Sequence, residues 1–385
     1  MIYLDNNATT ATDKRVLGKM LPYFCEIYSN PSSVYKFAQS ARKAVEDARA
    51  SLAKLLNCEA EELIFTSGGT ESNNTAIKGV AFAHQNRGKH IITSKIEHHA
   101  VLHVCEYMQE LGFEVTYLDV DKYGLVDIEQ LKKSLKKETI LTSIMLANNE
   151  IGTLQPIKEI VKICHGNNTY VHTDAVQAVG RISVDVKDLG VDFLSLSAHK
   201  FYGPKGVGAL FSRKGIKFQP LLLGGGHEKG RRSSTENVPG IVGLGEAAAL
   251  ALESMEEDEK RIRPLRDRLE SGILKTIPEA FSNGHPSQRL YNTSNICIRY
   301  IEGEGILINL DFEGICASSG SACTSGSLDP SHVLLALGLP HDVAHGSLRF
   351  SLGKDTTALQ VDKVIEVLPS IVQRLRSMSP FWQQK

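Results

Sequence analysis

The sequence predicts an α/β fold in which helices cover both faces of a largely parallel sheet. Short apolar or β-branched runs, such as residues 90–93 and 193–196, alternate with stretches whose apolar residues recur at helical spacing, such as residues 102–111. This alternation is typical of a sheet that is covered by helices on both faces. This order of elements favours strand–helix–strand units within one sheet.

The elements follow one another along the first half of the chain. Strands are predicted at residues 2–4, 62–66, 90–93, 114–118, 139–146, 170–172 and 193–196. Helices are predicted at residues 37–56, 71–82, 102–111 and 157–165. A polar or glycine-containing segment follows several of the strands, and open parallel sheets bind their ligands at that edge.

The pattern changes beyond the alanine-rich residues 245–252. The remaining elements are a charged helix, two strands and a final amphipathic helix, expected at residues 255–275, 294–299, 347–351 and 356–376. We therefore expect a large domain over residues 14–255 and a small domain formed by residues 1–13 and 256–385. No low-complexity linker separates these parts, so we expect the two domains to pack tightly.

Length, composition and charge restrict the class of protein. The chain has 385 residues, of which 42% are hydrophobic and 23% charged, as in an ordinary globular protein. A formal net charge of -1 gives no reason to expect nucleic acid as a direct partner. With no signal peptide and no long apolar span in view, we expect a cytoplasmic location and no membrane partner. The seven cysteines form no C-x-x-C pair, which indicates neither a disulfide framework nor a metal site.

The most informative stretch is Ser197-Ala198-His199-Lys200, between a predicted strand and the glycine-containing turn 203–206. A lysine at such a strand end can form a Schiff base with a phosphorylated aldehyde cofactor, and Ser197 and His199 can hold the phosphate. Taken alone, Lys200 is better explained as a surface lysine, because lysine prefers water. Other segments at the same edge of the sheet favour the cofactor-binding interpretation of Lys200 over the surface one.

Three further segments supply groups that such a cofactor needs. Gly69 and Thr70 lie at a predicted helix start, where free N–H groups favour an anion. Asp174 and Gln177 are close enough along a starting helix to face one ligand, and the imidazole of His98 could stack on a flat ring. Each has a simpler interpretation as a turn or helix cap. Together with the lysine they match the needs of pyridoxal 5'-phosphate, whose pyridine nitrogen is kept protonated by an adjacent acid.

At this point the chain resembles the NifS/IscS group I cysteine desulfurases, which are class V members of the fold-type I pyridoxal-phosphate enzymes. The likeness runs essentially end to end and rests on ordered motifs, at residues 3–10, 30–33, 66–73, 97–98, 148–152, 174–177, 197–200, 224–228, 318–326 and 348–351. It implies a large domain with a mostly parallel sheet flanked by helices, and a smaller α/β C-terminal domain.

The resemblance implies a role for each matched residue around the cofactor. Lys200 would carry pyridoxal phosphate as a Schiff base, Asp174 would meet its ring nitrogen and Gln177 its ring hydroxyl. His98 would stack on the ring and help to move protons. The phosphate would be held by Gly69, Thr70, Ser197 and His199, and by Thr235 of the partner subunit in a homodimer with shared active sites.

The resemblance also implies how the substrate reacts. Asn149 and Arg349 would hold the carboxylate of L-cysteine, since a guanidinium pairs with both carboxylate oxygens. Cys323, in a loop at about residues 318–330, would attack the substrate sulfur, which leaves a persulfide on Cys323 and releases L-alanine. A sulfur-acceptor protein, such as an iron–sulfur scaffold or a tRNA thiolation enzyme, would then receive the sulfur.

Three alternatives remain open on the sequence. Another class V pyridoxal-phosphate enzyme, such as a selenocysteine lyase or an aminotransferase, would use Lys200 and Asp174 without needing Cys323. A non-catalytic assembly scaffold would not need these residues together. A nucleotide-binding module could be argued from residues 67–70 and 203–206, but neither segment has the G-x-x-x-x-G-K-[ST] form.

Overall fold

A computed structural model of the chain describes residues 1–319, 329–378 and 382. Its strands are β1 (Ile2–Tyr3), β2 (Leu63–Thr66), β3 (His90–Ser94), β4 (Glu114–Leu118), β5 (Thr139–Ser143), β6 (Tyr170–Asp174), β7 (Phe193–Ser197), β8 (Gly208–Ser212), β9 (Ala280–Asn283), β10 (Thr293–Ile298), β11 (Ile315–Cys316) and β12 (Ser347–Ser351). Its helices are α1 (Lys14–Met20), α2 (Pro22–Cys25), α3 (Lys36–Leu56), α4 (Gly69–His84), α5 (His99–Glu110), α6 (Ile128–Ser134), α7 (Ile157–Gly166), α8 (Val186–Leu189), α9 (Val238–Thr276), α10 (Gly303–Phe312), α11 (His332–Ala336), α12 (His341–His345) and α13 (Ala358–Met378). Strands and helices alternate without exception from β2 to β7.

The largest sheet has seven strands in the order β2-β8-β7-β6-β5-β3-β4. Strand β8 runs antiparallel to both of its neighbours, and the other pairs are parallel. The predicted α/β fold with a mostly parallel sheet is therefore confirmed. The sequence pattern does not predict β8, because no α-helix separates this strand from β7 and it therefore falls outside the alternation.

Side chains of this sheet are buried on both faces. In β3, Ile91 packs into the core under α4 and α5, and the next residue, Ile92, packs into the core on the opposite face with α3 and α7. Successive side chains of a strand point to opposite faces, so both faces must be covered by apolar partners. This explains why β3 has two adjacent apolar residues, Ile91 and Ile92, instead of an alternating apolar and polar pattern.

Helix α9 corrects the predicted helix start at residue 255. The helix has 39 residues and begins at Val238. The helical pattern of its first part is weak in the sequence, because small residues stand there at positions that pack against α3. A Cβ added at Gly245 would lie 2.5 Å from Ala48 of α3. Glycine costs helix stability, but here it lets two helices approach closely.

Part of α9 is also long and apolar enough, by length and composition alone, to cross a bilayer. That part has a mean hydropathy of 1.3 and is 50% buried within the protein. Ile241 and Leu244 pack into the large core with residues of α3. A core helix passes the same test, so its apolar residues are explained by packing.

A second core forms around a three-stranded antiparallel sheet with the order β12-β10-β9. The later part of α9 packs on it together with α10 and α13. Leu4 belongs to this core, and β1 pairs in parallel with β11. The first residues of the chain therefore join its C-terminal part. The domain limits at residues 13 and 255 stay a prediction, and α9 crosses the second of them.

Candidate active site

The carboxyl ends of β2, β3, β5, β6 and β7 open into one cavity of about 400 Å³. A cavity of this size is typical of small-molecule sites. Ten of the twelve predicted site residues line it, namely Gly69, Thr70, His98, Asn149, Asp174, Gln177, Ser197, His199, Lys200 and Arg349. A second cavity of about 410 Å³ contains Arg49 and Glu228, but these charges neutralise each other through two hydrogen bonds. The first cavity is therefore the candidate active site.

Lys200 lies in a single 3-10 turn, Ala198–Lys200, directly after β7. Its Nζ donates hydrogen bonds to the carbonyl oxygens of Asn7 at 2.6 Å and Ala8 at 2.8 Å. These carbonyls belong to an N-terminal segment, residues 4–10, which we call the strap. The strap thus holds the amine at the wall of the cavity, where a cofactor aldehyde could meet it.

Asp174 ends β6 and is buried. Asn73 of α4 donates its Nδ2 proton to Asp174 Oδ2 at 2.6 Å, and the Val176 N–H donates to Oδ1 at 3.0 Å. Among the described residues, no cation pairs with this carboxylate at salt-bridge distance. A buried carboxylate that faces a cavity in this way fits a protonated pyridine nitrogen. The sequence pattern missed Asn73, although it lies within the matched motif 66–73.

The side chain of Gln177 is held by one hydrogen-bond acceptor and one hydrogen-bond donor. Its Nε2 donates to the Asn7 carbonyl at 2.9 Å, and its Oε1 accepts from Arg181 Nη1 at 2.6 Å. Residues 176–181 form turns instead of the expected helix start, and Gly180 among them has a φ of 76°, which favours glycine. Arg181 was missed by the sequence pattern, and its four-residue spacing from Gln177 is the signal that could have revealed it.

His98 is the N-cap of α5. Its Nδ1 accepts a hydrogen bond from the Ala100 N–H at 3.0 Å, so in the neutral ring the proton is on Nε2. Burial lowers the pKa of His98, and nearby Lys200 lowers it further, whereas Asp174 raises it. We conclude that His98 is a neutral imidazole at pH 7 with a single N–H to offer.

The start of α4 has the features of a phosphate site. Gly69 and Thr70 form the first turn of this 16-residue helix, beside Ser197, His199 and Lys205. A Cβ at Gly69 would lie 2.6 Å from Val176, so only glycine lets the backbone approach this closely. Free N–H groups at a helix start and a nearby lysine favour an anion.

His199 of this phosphate site is a neutral imidazole. Burial, followed by the charges of Lys200 and Lys205, lowers the pKa of His199 to about 4. Its Nδ1 makes a 3.0 Å hydrogen bond with Thr9 Oγ1 of the strap. Together with the buried carboxylate of Asp174 and the close backbone approach at Gly69, these groups fit pyridoxal phosphate.

The remaining two predicted site residues are Thr235 and Cys323. Thr235 is exposed, in the segment where Arg232 pairs with Glu71 of α4 through bonds of 2.8 and 3.1 Å. Cys323 lies outside the described residues. The six cysteines that are described, Cys25, Cys58, Cys105, Cys164, Cys297 and Cys316, form no disulfide.

The opposite wall of the cavity contains Arg349 in the middle of β12. Its Nη1 donates to the Asn149 carbonyl at 3.2 Å, and its Nη2 pairs with Asp5 Oδ1 at 2.8 Å. Next to Asn149, Glu150 is fully buried and accepts a short hydrogen bond from Ser331. Burial raises the pKa of Glu150 to about 7. The sequence pattern missed Asp5 as a site residue, although it stands in the matched motif 3–10.

Comparison with known proteins gives the same family as the motifs. The class-V aminotransferase family model matches residues 2–364. Cysteine desulfurase IscS of Methanosarcina thermophila is 57% identical over 379 residues, which cover 98% of this chain and 94% of that protein. Cysteine desulfurase IscS of Clostridium botulinum strain Hall is 54% identical over 384 residues, or 99% of this chain and 97% of the relative.

Solved structures agree with this result. A NifS-like protein superposes with a TM-score of 0.92 at 40% identity, and the match covers 97% of this chain and 100% of the other. SspA in complex with cysteine superposes with a TM-score of 0.81 at 36% identity, covering 91% and 99% of the two chains. The predicted fold, family and cofactor are confirmed. The chain therefore belongs to the class V aminotransferase family, among its pyridoxal-phosphate-dependent cysteine desulfurases.

Proposed function

We propose that this chain takes sulfur from L-cysteine, stores it on Cys323 and passes it to an acceptor protein. The observation that carries the proposal is the convergence of Lys200, Asp174 and Arg349 on one cavity. An amine, an acid and a guanidinium in these positions suit a cofactor on one wall and an amino-acid carboxylate on the other. L-cysteine as the substrate is supported by the names of the relatives.

The cofactor would be held by groups on the walls that are formed by β6, β7 and α4. Asp174 would pair with its ring nitrogen, and Gln177 with its ring hydroxyl. When bound, pyridoxal phosphate draws electron density away from the substrate α-carbon. The phosphate would lie against Gly69, Thr70, Ser197 and His199.

Protons would be moved by two of the residues around the cavity. The Nζ of Lys200 would take the proton from the substrate α-carbon, because an amine in its neutral form is a base. His98 would return a proton, since its hydrogen bond with Ala100 leaves the neutral ring with one N–H, on Nε2. Asn149 and Arg349 would hold the carboxylate and so fix the α-carbon relative to both groups.

The sulfur step balances with one enzyme thiol. The thiolate of Cys323 would attack the sulfur of L-cysteine and form an S–S bond while the carbon–sulfur bond breaks. The electron pair of the broken bond stays with the substrate carbon, which takes up a proton, and L-alanine leaves. The enzyme then bears a persulfide, which an acceptor thiol can attack in turn.

We further propose a homodimer in which Thr235 of the partner subunit completes the phosphate site. The exposed position of Thr235 supports this, as does the exposure of Leu221, Leu222 and Leu223 nearby in sequence. Apolar side chains on a surface favour contact with another chain. The acceptor is proposed to be an iron–sulfur scaffold or a thiolation enzyme, and the cytoplasmic location stays a prediction.

A test compares two cysteine variants of the holoenzyme. Cys323→Ser is expected to abolish L-alanine formation and the protein-bound label from 35S-labelled L-cysteine. The matched control is Cys25→Ser, which changes an exposed cysteine and should leave both unchanged. If the Cys323→Ser protein kept full turnover, the sulfur-transfer proposal would be wrong and another class V reaction would replace it.

The alternative functions give different results in companion assays. A selenocysteine lyase would keep its activity on L-selenocysteine in the Cys323→Ser protein, and an aminotransferase would consume an α-keto acid. A non-catalytic scaffold would be colourless, without the absorbance of a lysine-bound cofactor. Lys200→Ala is the control for that absorbance, because it removes the amine to which the cofactor binds.

A further inference from the structure

Arg349 is buried in the wall of the active-site cavity and needs a counter-charge. Its side chain is 2% exposed. A guanidinium does not lose its proton in proteins, and an unpaired buried charge is strongly destabilising. The group that supplies this counter-charge therefore determines the orientation of the Arg349 guanidinium in the cavity.

The counter-charge comes from Asp5 of the strap through a single hydrogen bond. Nη2 of Arg349 donates to Asp5 Oδ1 at 2.8 Å, and the Asp5 side chain is 19% exposed. Nη1 donates to the Asn149 carbonyl, and Nε is buried with no hydrogen-bond partner among the described residues. A guanidinium has five N–H donors, so donors remain for a second carboxylate.

The backbone fixes Asp5 beside Arg349 independently of their ion pair. Ser351 donates its N–H to the Leu4 carbonyl at 2.7 Å and accepts at its own carbonyl from the Asn6 N–H at 3.1 Å. Ser351 lies two residues beyond Arg349 in β12, so their side chains share one face of the sheet. Asp5 is thus positioned before any substrate arrives.

The other charged groups near Arg349 do not replace Asp5. Glu150 also faces Arg349, but burial raises the pKa of Glu150 to about 7, so it is only partly charged at neutral pH. Arg181 is a cation and repels Arg349. Asp5 is therefore the carboxylate in hydrogen-bond contact with this guanidinium.

We propose that Asp5 is a positioning residue, which holds one nitrogen of Arg349 and directs the remaining donors to the α-carboxylate of the substrate. This rests on the proposed role of Arg349 in binding that carboxylate. One bond from Asp5 orients the planar guanidinium, whereas a two-bond pair would occupy a whole edge of it. Asp5 thereby sets the affinity for amino acids over amines that lack a carboxylate.

The test compares L-cysteine with cysteamine, which is the same molecule without its carboxylate. Binding to the holoenzyme is measured by stopped flow, from the concentration dependence of the fast change in cofactor absorbance. Asp5→Ala is expected to weaken L-cysteine binding about tenfold or more and to change cysteamine binding less than about twofold. Asp5→Asn keeps an acceptor oxygen and should weaken L-cysteine binding only about threefold.

Two outcomes would overturn the role of Asp5. One is an Asp5→Ala protein that binds L-cysteine as tightly as the unmodified protein or more tightly. The other is an equal weakening of both ligands, which would indicate a general structural role. If Asp5→Ala does not retain cofactor, Asp5→Asn decides: L-cysteine must weaken while cysteamine does not, and any other result overturns the proposal.

Arg349→Ala in the same assay separates this inference from the proposed function. If Arg349→Ala also leaves L-cysteine binding unchanged, the role of Arg349 in holding the carboxylate is wrong. If Arg349→Ala weakens L-cysteine binding and Asp5→Ala does not, only the positioning role of Asp5 is wrong.

Discussion

One buried arginine, Arg349, lines the cavity and another, Arg181, lies behind the opposite wall, and the two charges are neutralised differently. On the substrate wall, formed by β12 and residues 149–150, Arg349 pairs with the carboxylate of Asp5. Behind the cofactor wall, which is formed by the ends of β6 and β7, Arg181 pairs with no carboxylate among the described residues. The charge of Arg181 is instead spread over four neutral oxygens, Asn6 O, Asn7 Oδ1, Gln177 Oε1 and Lys200 O, at 2.6 to 3.3 Å.

The difference shows how each charge can be used. Oxygens of the backbone and of amide side chains are fixed in place, so Arg181 is bound permanently and acts as a clamp on Gln177 and the strap. The carboxylate of Asp5 can share Arg349 with a second carboxylate, so Arg349 stays available to a ligand. Both arginines form hydrogen bonds with the strap, which therefore connects the two walls.

The largest expected effect is on stability when the clamp is removed. Arg181→Met leaves several buried oxygens without donors, and we expect the free energy of unfolding to fall by about 4 kcal/mol. Arg349→Met should cost about half as much, because Asp5 is partly exposed and can turn to water. Urea denaturation of the two holoenzymes at pH 7 measures the difference.

A matched control for both variants is Lys43→Met. Lys43 forms an exposed ion pair with Asp47 one helical turn away, and its loss should leave the free energy of unfolding nearly unchanged. Equal losses in the two arginine variants would contradict the distinction between a clamp and an exchangeable charge.

The sequence was sufficient to predict the residues of the cofactor wall, but it was not sufficient to predict the contacts that join the two walls. Lys200, Asp174 and Ser197 were found because each follows a predicted strand, and a parallel sheet brings such ends together. Asp5 and Arg349 are 344 residues apart in sequence, and Arg181 and Asn7 are 174 residues apart. No local periodicity encodes a contact of that range, so the strap was matched as a motif but given no role.

The start of helix α9 was predicted wrongly for a different physical reason. Its glycines weaken the helical pattern, and their value lies in the approach of α3, which only the folded protein reveals. The motifs therefore located residues that line the cavity, whereas helix propensity misplaced the start of α9.

Buried carboxyl groups behind the two walls provide the next largest effect. Glu97 precedes His98 and accepts hydrogen bonds from Ser94 Oγ at 2.6 Å and the Met145 N–H at 3.0 Å. Burial raises the pKa of Glu97 to about 8 from 4.5. In the unfolded chain Glu97 ionises near pH 4.5 and in the folded protein only near pH 8, so the folded state binds more protons between these values. The contribution of Glu97 to stability should therefore fall as pH rises from about 4.5 to about 8.

Glu97→Gln tests this sign, because glutamine resembles the protonated carboxyl and does not titrate. We expect the variant to match the unmodified protein at pH 4.5 and to be more stable by about 3 kcal/mol at pH 7. Urea denaturation at pH 4.5, 7 and 8 measures this.

Glu150→Gln provides the comparison from the substrate wall. Burial raises the pKa of Glu150 only to about 7, so the advantage of the Glu150→Gln variant should stop growing near pH 7. The advantage of Glu97→Gln should continue to grow up to about pH 8. Parallel curves for the two variants would contradict the assignment of different environments to the two carboxyls.

A smaller effect is expected from Asn73, which acts on the cofactor wall alone. Asn73→Ala removes the 2.6 Å hydrogen bond to Asp174, and we expect cofactor affinity to fall about tenfold. Asn74→Ala is the control, because Asn74 contacts only the Thr70 carbonyl of its own helix among the hydrogen bonds of the described residues. With cofactor saturating, KM for L-cysteine should not change in either variant. A rise in KM for Asn73→Ala would mean that the two walls are coupled through Asp174.

The smallest effect is expected where the strap meets the phosphate site. Thr9→Val removes the hydroxyl that bonds His199 Nδ1 at 3.0 Å while keeping the shape of the side chain. The low pKa of His199, about 4, makes this a bond between two neutral groups, so we expect cofactor affinity to fall only about threefold. Thr12→Val, which removes a 3.4 Å bond to the Gly203 carbonyl, is the matched control and should have no measurable effect. A loss above about tenfold for Thr9→Val would mean that His199 becomes charged when the phosphate binds, since hydrogen bonds to charged groups are stronger. The strap would then contribute electrostatically on the cofactor wall as well, and the contrast between the two walls would narrow.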